Sequence, residues 1–246
     1  MKNIPYEKIK TIFLDAGNTL ISMDFEWIGE LLGGCGVTCN LESLRRAEAA
    51  ARPPLSAALE SLRSTEGEDA FGFYMRNILE RLPGIEASKD GVIEKVAGEI
   101  MPVLRAPGQT QRLWSHVLPG VPEALEILKT GGYQLIVVSN SDGTVEESIT
   151  NTGLRPYFDA VVDSHWAGFE KPDPRLFKYA LNVSGAIPEE TIHVGDMYDV
   201  DISGARSAGI HALLLDPYDD WQHVDCVRFP DLLTWVKNIV TPNPFP

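Results

Sequence analysis

Five short apolar runs punctuate the chain, and what separates them constrains the fold more than any other feature. TIFLDA (11–16), QLIVVSN (134–140), AVVDS (160–164), TIHVGD (191–196) and HALLLD (211–216) each run into a polar or acidic residue. The last four alternate with polar or helical stretches. Short Ile/Val/Leu-rich runs separated by helices read as a parallel sheet covered on both faces. At 246 residues and 44% hydrophobic content, the chain has room for one large domain, or for one domain with a second inserted into it.

The intervening helices carry local signals. VPEALEILKTGG places Pro122 early, Leu125 and Leu128 on one face, and a glycine pair at the stop. Thr144 and Glu147 have the spacing of a capping box. PDPRLFKYALNVSG opens on prolines and repeats apolar residues at Leu176, Phe177, Ala180 and Leu181. DISGARSAG predicts a helix that terminates at Gly209.

Between the first run and the others the pattern changes. EWIGELL, LESLRRAEAAA, DAFGFYMRNILERL and GVIEKVAGEIM are amphipathic or Ala-rich, with no strand-like period among them. The expected architecture is therefore a Rossmann-like, doubly wound α/β core of residues 1–23 and 115–246, with an all-helical domain of residues 24–114 inserted. The tail TPNPFP reads as a fraying end.

Charge and cysteine content narrow the function. A formal net charge of −14 disfavours nucleic acid and anionic membrane surfaces as partners. An anionic substrate would need local cations to overcome that field. No apolar run approaches the ~20 residues of a membrane helix, and the start, MKNIPYEKIK, lacks a secretory apolar region. Three cysteines, Cys35, Cys39 and Cys226, make no disulfide framework, and no Cys/His pair answers CGVTC as a metal site. A cytoplasmic protein is the expectation; nothing in the sequence points to an oligomeric state.

Ligands of open α/β sheets bind beyond the carboxyl ends of the strands. At those ends the chain delivers Asp15 with Thr19, Ser139 with Asn140, and Asp196 with Asp199 and Asp201, while Lys171 lies between a strand end and a helix start. Each alone is an ordinary turn, cap or surface residue. Together on one rim they suit phosphoryl transfer, in which a carboxylate attacks phosphorus and a divalent metal, hydroxyls, N–H groups and a lysine meet the developing charge. Mg²⁺ takes oxygen ligands and keeps several waters, so a few acids suffice.

FLDAGNTL, VVSNSDG, EKPDPRLF and VGDMYDVDISGARSAG, in that order, resemble the motifs of the haloacid dehalogenase superfamily of hydrolases. The likeness covers about residues 10–23 and 115–217, and the inserted helices match the subgroup whose cap follows the first motif. The resemblance implies a Rossmann-like core and a Mg²⁺-dependent phosphatase acting on a small phosphorylated metabolite. Asp15 would be nucleophile and metal ligand, and Ser139 would hold the phosphoryl group with the Asn140 N–H. Thr19 would help bind substrate, and Lys171 would neutralise charge. Asp196 would bind metal directly, Asp201 through water, and Gly17 through its carbonyl.

Phosphatases of the family usually carry a second Asp as acid–base two residues beyond the nucleophile; here that position is Gly17, and Asn18 replaces the Gly that follows. Three readings stay open. The first is a phosphatase whose proton transfer falls to the substrate, Asp24 or a cap residue. The second is a carbon-centred hydrolase of the dehalogenase or phosphonatase type. The third is a non-catalytic phosphate-binding relative. GDMYDVD keeps the acidic metal motif, which metal-free dehalogenases do not need, and Lys89 and Lys95 read as surface charges rather than Schiff-base lysines. A phospho-receiver domain would carry its acidic pair before the phosphorylated Asp, whereas here the pair follows Lys171. Trp27, Tyr74, Arg76 and Trp114 are candidates for substrate contact, with burial the commoner fate of such aromatics.

Overall fold

Parallel pairing joins the five expected strands and one more into a single sheet. The structure, a computed structural model, describes residues 4–62, 68–85 and 91–240. Lys89 and the 241–246 tail lie outside the described residues. In chain order the strands are β1 (Thr11–Leu14), β2 (Ile21–Met23), β3 (Trp114–Val117), β4 (Gln134–Ser139), β5 (Ala160–Asp163), β6 (Thr191–Gly195), β7 (His211–Leu215) and β8 (Val227–Phe229). Six of them form a sheet in the order β5-β4-β1-β6-β7-β8, every neighbouring pair parallel. The α/β expectation is met. The three-residue β8, and a small second sheet of β2 and β3, are additions too short for the sequence pattern to announce.

The chain divides into two compact units, Met1–Ser22 with His116–Pro246, and Met23–Ser115. The second is helical: α1 (Phe25–Gly34), α2 (Leu41–Leu62), α3 (Glu68–Glu80), α4 (Val92–Leu104) and α5 (Thr110–Leu113). Ile28, Leu32, Leu44, Met75 and Ile78 are among its most buried apolar positions. The helix expected from LESLRRAEAAA continues through Pro53 and Pro54 to Leu62, although proline removes a helical donor. Asp24 caps α1, its Oδ1 accepting from the Trp27 N–H at 2.8 Å.

The first unit supplies α6 (Val121–Thr130), α7 (Val145–Asn151), α8 (Ser164–Ala167), α9 (Pro174–Ser184), α10 (Gly204–Ser207) and α11 (Leu232–Val240). Phe13, Ile136, Val138 and Leu214 on one sheet face join Leu176 and Phe177 of α9 and Ala205 of α10 in one core cluster. The alternate residues Ile12, Leu14, Val137 and Val194 are buried as well, so both faces of the sheet are covered. α9 starts as its sequence predicts, with Asp173 accepting from the Arg175 N–H at 2.9 Å and Pro174 in the first turn.

Two local expectations are corrected. Thr144 flanks α7 without capping it: its backbone is in the helical region, and its hydroxyl donates to Asp142 Oδ1 at 2.5 Å. The Val145 N–H, which opens that helix, donates instead to Asp163 Oδ2 from the end of β5, at 3.3 Å. The DISGARSAG stretch begins inside a π-helical segment, Tyr198–Ser203, with α10 only as a short continuation. No helix among the described residues is long and apolar enough to cross a membrane.

Candidate active site

Sheet register brings three strand ends to one level. Leu14 pairs with Val137 of β4 and with Val194 of β6. Asp15 is one residue beyond that line, and Ser139 and Asp196 are two beyond it; all three are buried. The Asp15 N–H still donates to Val194 O, at 2.9 Å, so the ladder fixes the backbone that carries the carboxylate. After β1 the path runs through β4 to β5 on one side and returns through β6 to β8 on the other. Asp15 thus lies where the winding reverses, the usual place for a ligand crevice in such sheets.

Lys171 enters from the loop between α8 and α9. The Asn140 side chain clamps its backbone at both polar groups. The Lys171 N–H donates to Asn140 Oδ1 at 2.7 Å, and Asn140 Nδ2 donates to Lys171 O at 2.9 Å. The next residue packs tightly on α10, since a Cβ at Gly204 would lie 2.9 Å from Pro172 Cα. Held this way and 2% exposed, the Lys171 ammonium donates to Asp15 Oδ1 at 2.6 Å and to Asp201 Oδ1 at 2.7 Å.

Asp201 sits in a close-fitting seat. Its N–H donates to Met197 O at 2.8 Å, and its Oδ2 accepts from the Met197 N–H at 3.0 Å. Its Oδ1 takes Lys171 and also His193 Nε2, at 2.9 Å. Beneath it is Gly195, where a Cβ would collide with the Asp201 carboxyl carbon and come 2.5 Å from Oδ2. Asp196 is buried beside Asn18, whose Nδ2 lies 3.4 Å from its Oδ2. Asn18 has a left-handed backbone (φ 53°), which asparagine tolerates better than most residues, so it can occupy the position where the family usually has glycine.

Burial and charge pull on these groups in opposite directions. Burial pushes Asp15 up and Lys171 only partly offsets it, with Asp201 adding to the rise. For Asp201, burial is outweighed by Lys171 and His193, which hold its carboxyl well below the usual range. Burial works against the Lys171 charge, yet Asp15 and Asp201 keep the ammonium above its ordinary value. Burial pushes His193 down.

Oxygens of Asp15, Asp196 and Asp201 all lie within 4.8 Å of one another. Three carboxylates and one ammonium leave a formal charge of −2, and every metal-facing donor type is a hard oxygen. That set fits a divalent cation of the Mg²⁺ kind. Asp15 and Asp196 could reach it directly. Asp201, with both oxygens engaged by protein donors, is better suited to act through water.

Of the other residues singled out in the sequence, Ser139 is buried and its hydroxyl donates to Asn140 O at 3.2 Å. Thr19 is buried in the turn after Asp15, and its hydroxyl finds no partner among the described residues. Gly17 is half-buried in the same turn and bridges to Ile21. The inserted unit buries Trp27 and Tyr74, leaves Trp114 half-buried, and exposes Arg76 and Lys95. The Arg112 guanidinium lies 4.1 Å over the Trp27 ring. His193 was not singled out, although a histidine in the middle of an otherwise apolar buried strand requires a polar partner.

Residues 9–209 match the model of one protein family, described as a haloacid dehalogenase-like hydrolase. The haloacid dehalogenase-like hydrolase domain-containing protein 3 of Homo sapiens is 41% identical over 100 residues. That match spans 41% of this chain and 40% of the relative's length. A glyceraldehyde 3-phosphate phosphatase of Methanothermobacter thermautotrophicus is 30% identical over 176 residues, 69% of this chain and 78% of its own. A phosphoserine phosphatase of Thermus thermophilus is 38% identical over 102 residues, 40% of this chain and 41% of its own. Among solved structures, the HAD-hydrolase YfnB of Bacillus subtilis, bound to magnesium, superposes with a TM-score of 0.63 at 18% identity, covering 94% of this chain and 99% of that one. The fold is shared with it.

Proposed function

The chain belongs to the haloacid dehalogenase-like hydrolases, and from that membership we propose that it is a Mg²⁺-dependent phosphatase of a small phosphorylated metabolite. One observation carries the reading: the Lys171 ammonium joins Asp15 to Asp201 while Asp196 closes a buried acidic cluster of formal charge −2. The phosphatase names of the two microbial relatives support the same chemistry.

In this proposal an Asp15 carboxylate oxygen bonds to phosphorus as the bond to the leaving oxygen breaks. Water then attacks phosphorus, releasing phosphate and regenerating Asp15. Ser139 Oγ and the Asn140 N–H hold phosphoryl oxygens, Thr19 lines the phosphate site, and Lys171 favours the ionised form of Asp15 and neutralises the phosphoryl charge. Bound by Asp15, Asp196 and the Gly17 carbonyl, with Asp201 behind a water, Mg²⁺ would supply the remaining neutralisation of the transferring group. The inserted helical unit, as cap, would set substrate choice.

Gly17 shapes the rate. A positioned acid–base is worth about 10²–10⁴-fold, and Asp24, the next acid along the chain after Asp15, spends an oxygen on capping α1. The leaving oxygen therefore takes its proton from substrate or solvent, and turnover is slow for the family. The same glycine favours a second reading, a phosphate-binding relative without turnover. A panel of small phosphoesters assayed with and without Mg²⁺ separates them. The proposal expects hydrolysis that EDTA abolishes, together with beryllofluoride binding. Beryllofluoride binding without any turnover selects the second reading, and absence of both overturns the phosphoryl-transfer assignment.

A further inference from the structure

One polar side chain deep in the sheet has no part in the chemistry assigned so far. His193 is the central residue of β6, fully buried, and pairs across the sheet with Phe13 and Ala212. Its ring packs edge-to-face on Phe177 at 4.9 Å. Such a position ordinarily belongs to Val, Ile or Leu, because an unpaired imidazole N–H buried there costs free energy.

We infer that His193 is a positioning residue whose Nε2–H holds the Asp201 carboxylate in the orientation that receives Lys171. Three observations carry this. Nε2 lies 2.9 Å from Asp201 Oδ1, the same oxygen that accepts from the Lys171 ammonium at 2.7 Å. Asp201 as a carboxylate has no proton to give, so the proton in that contact sits on Nε2. Nδ1 finds no partner among the described residues.

Gly195 completes the seat. It is two residues along β6 on the same sheet face, and its missing Cβ is the space the Asp201 carboxyl occupies. β6 therefore holds Asp201 with a donor at position 193 and a void at 195, and Asp201 in turn aims Lys171 at Asp15. The link to turnover rests on the phosphatase reading above; the effect on the acidic cluster does not.

The test compares His193→Phe, which keeps a packed ring without the donor, with His193→Gln, whose amide N–H₂ reaches the place of Nε2. Mg²⁺ affinity is measured by calorimetry without substrate, alongside kcat and KM on the best phosphoester. Positioning groups of this kind typically contribute about 10–100-fold to metal affinity or activity. We expect His193→Phe to lose that much in Mg²⁺ affinity and in kcat, with KM moving far less, and His193→Gln to recover most of both. A folded His193→Phe variant with wild-type Mg²⁺ affinity overturns the inference, as does a Gln variant no better than Phe. ¹⁵N NMR of the wild-type imidazole decides the matter without any variant: a proton on Nε2 supports the assignment, and an Nε2 without one overturns it. Wild-type protein that hydrolyses no phosphoester, yet shows the Nε2 proton and the Phe/Gln difference in Mg²⁺ binding, sinks the phosphatase reading and leaves the role of His193 standing.

Discussion

Each unit of the molecule buries an ionic cluster, and the two are built on opposite principles. In the helical unit, Arg52 donates from Nε and Nη2 to the two oxygens of Glu48, at 2.7 and 2.6 Å, one turn apart on α2. The Tyr74 hydroxyl of α3 donates to the same carboxylate. Within that trio one negative charge meets one positive, bidentate and buried, which is the arrangement of an architectural pair. In the sheet unit, the Lys171 ammonium pairs with two carboxylates, Asp15 and Asp201, and a third, Asp196, lies beside them. Burying charge is tolerable when it is paired and costly when it is not. Within the helical trio the charges balance, while the acidic cluster of the sheet unit keeps a negative excess that suits a cation. Strongly perturbed titrating groups gather in the second, as they do at functional sites generally.

Four substitutions would break or sharpen that contrast. Asp15→Asn should lower turnover by on the order of 10⁶-fold, the scale seen when a catalytic nucleophile is removed. Because it also lowers the cluster's negative excess from −2 to −1, its melting temperature without Mg²⁺ should equal or exceed that of the wild type. A large loss of stability would mean that Asp15 is architectural. Arg52→Met should behave in the opposite sense. Leaving Glu48 buried and unpaired should cost about 3–5 kcal/mol in denaturant unfolding, with kcat per folded molecule unchanged. Loss of kcat in a stable Arg52→Met protein would move the helical cluster into the catalytic machinery.

Gly17→Asp puts a further carboxylate two residues beyond Asp15, at a position whose backbone does not need glycine's positive φ. Turnover should rise by about 10–100-fold, the lower part of what a placed acid–base supplies. An unchanged or reduced rate would show that another group already delivers the proton. The smallest effect belongs to Gly195→Ala. Its methyl group would displace the Asp201 carboxyl, for about 1–3 kcal/mol of stability, as over-packing generally costs. Calorimetry should also report weaker Mg²⁺ binding. Full Mg²⁺ affinity in this variant would show that the seat of Asp201 is looser than its packing implies.

Much of this was legible in sequence, and unevenly so. The polar residues at the ends of TIFLD, QLIVVS and TIHVGD announce the rim because strand period and strand end are local properties. Asn140 could be picked out at a strand end, but its clamp on the backbone of Lys171 could not, because the partner is 31 positions away. The capping box at Thr144 was legible and wrong, since a nearer acceptor, Asp142, and a carboxylate from another strand took the groups it required. His193 hid inside an apolar run. A buried histidine gains its meaning from whatever packs over it, and the turn carrying Asp201 is assigned by tertiary packing alone.

By itself the sequence determined the alternation of strands and helices, the helical insertion, and the set of acids and the lysine placed at strand ends, because periodicity, capping and chain order act over a few residues. Only the tertiary structure decided which oxygen receives which proton: Lys171 meets Asp15 across 156 positions, and Asp201 finds His193, Gly195 and Met197 around it. The reason is physical. A hydrogen bond is won or lost over a few tenths of an ångström, and that precision comes from sheet register and close packing, neither of which any single stretch of chain contains.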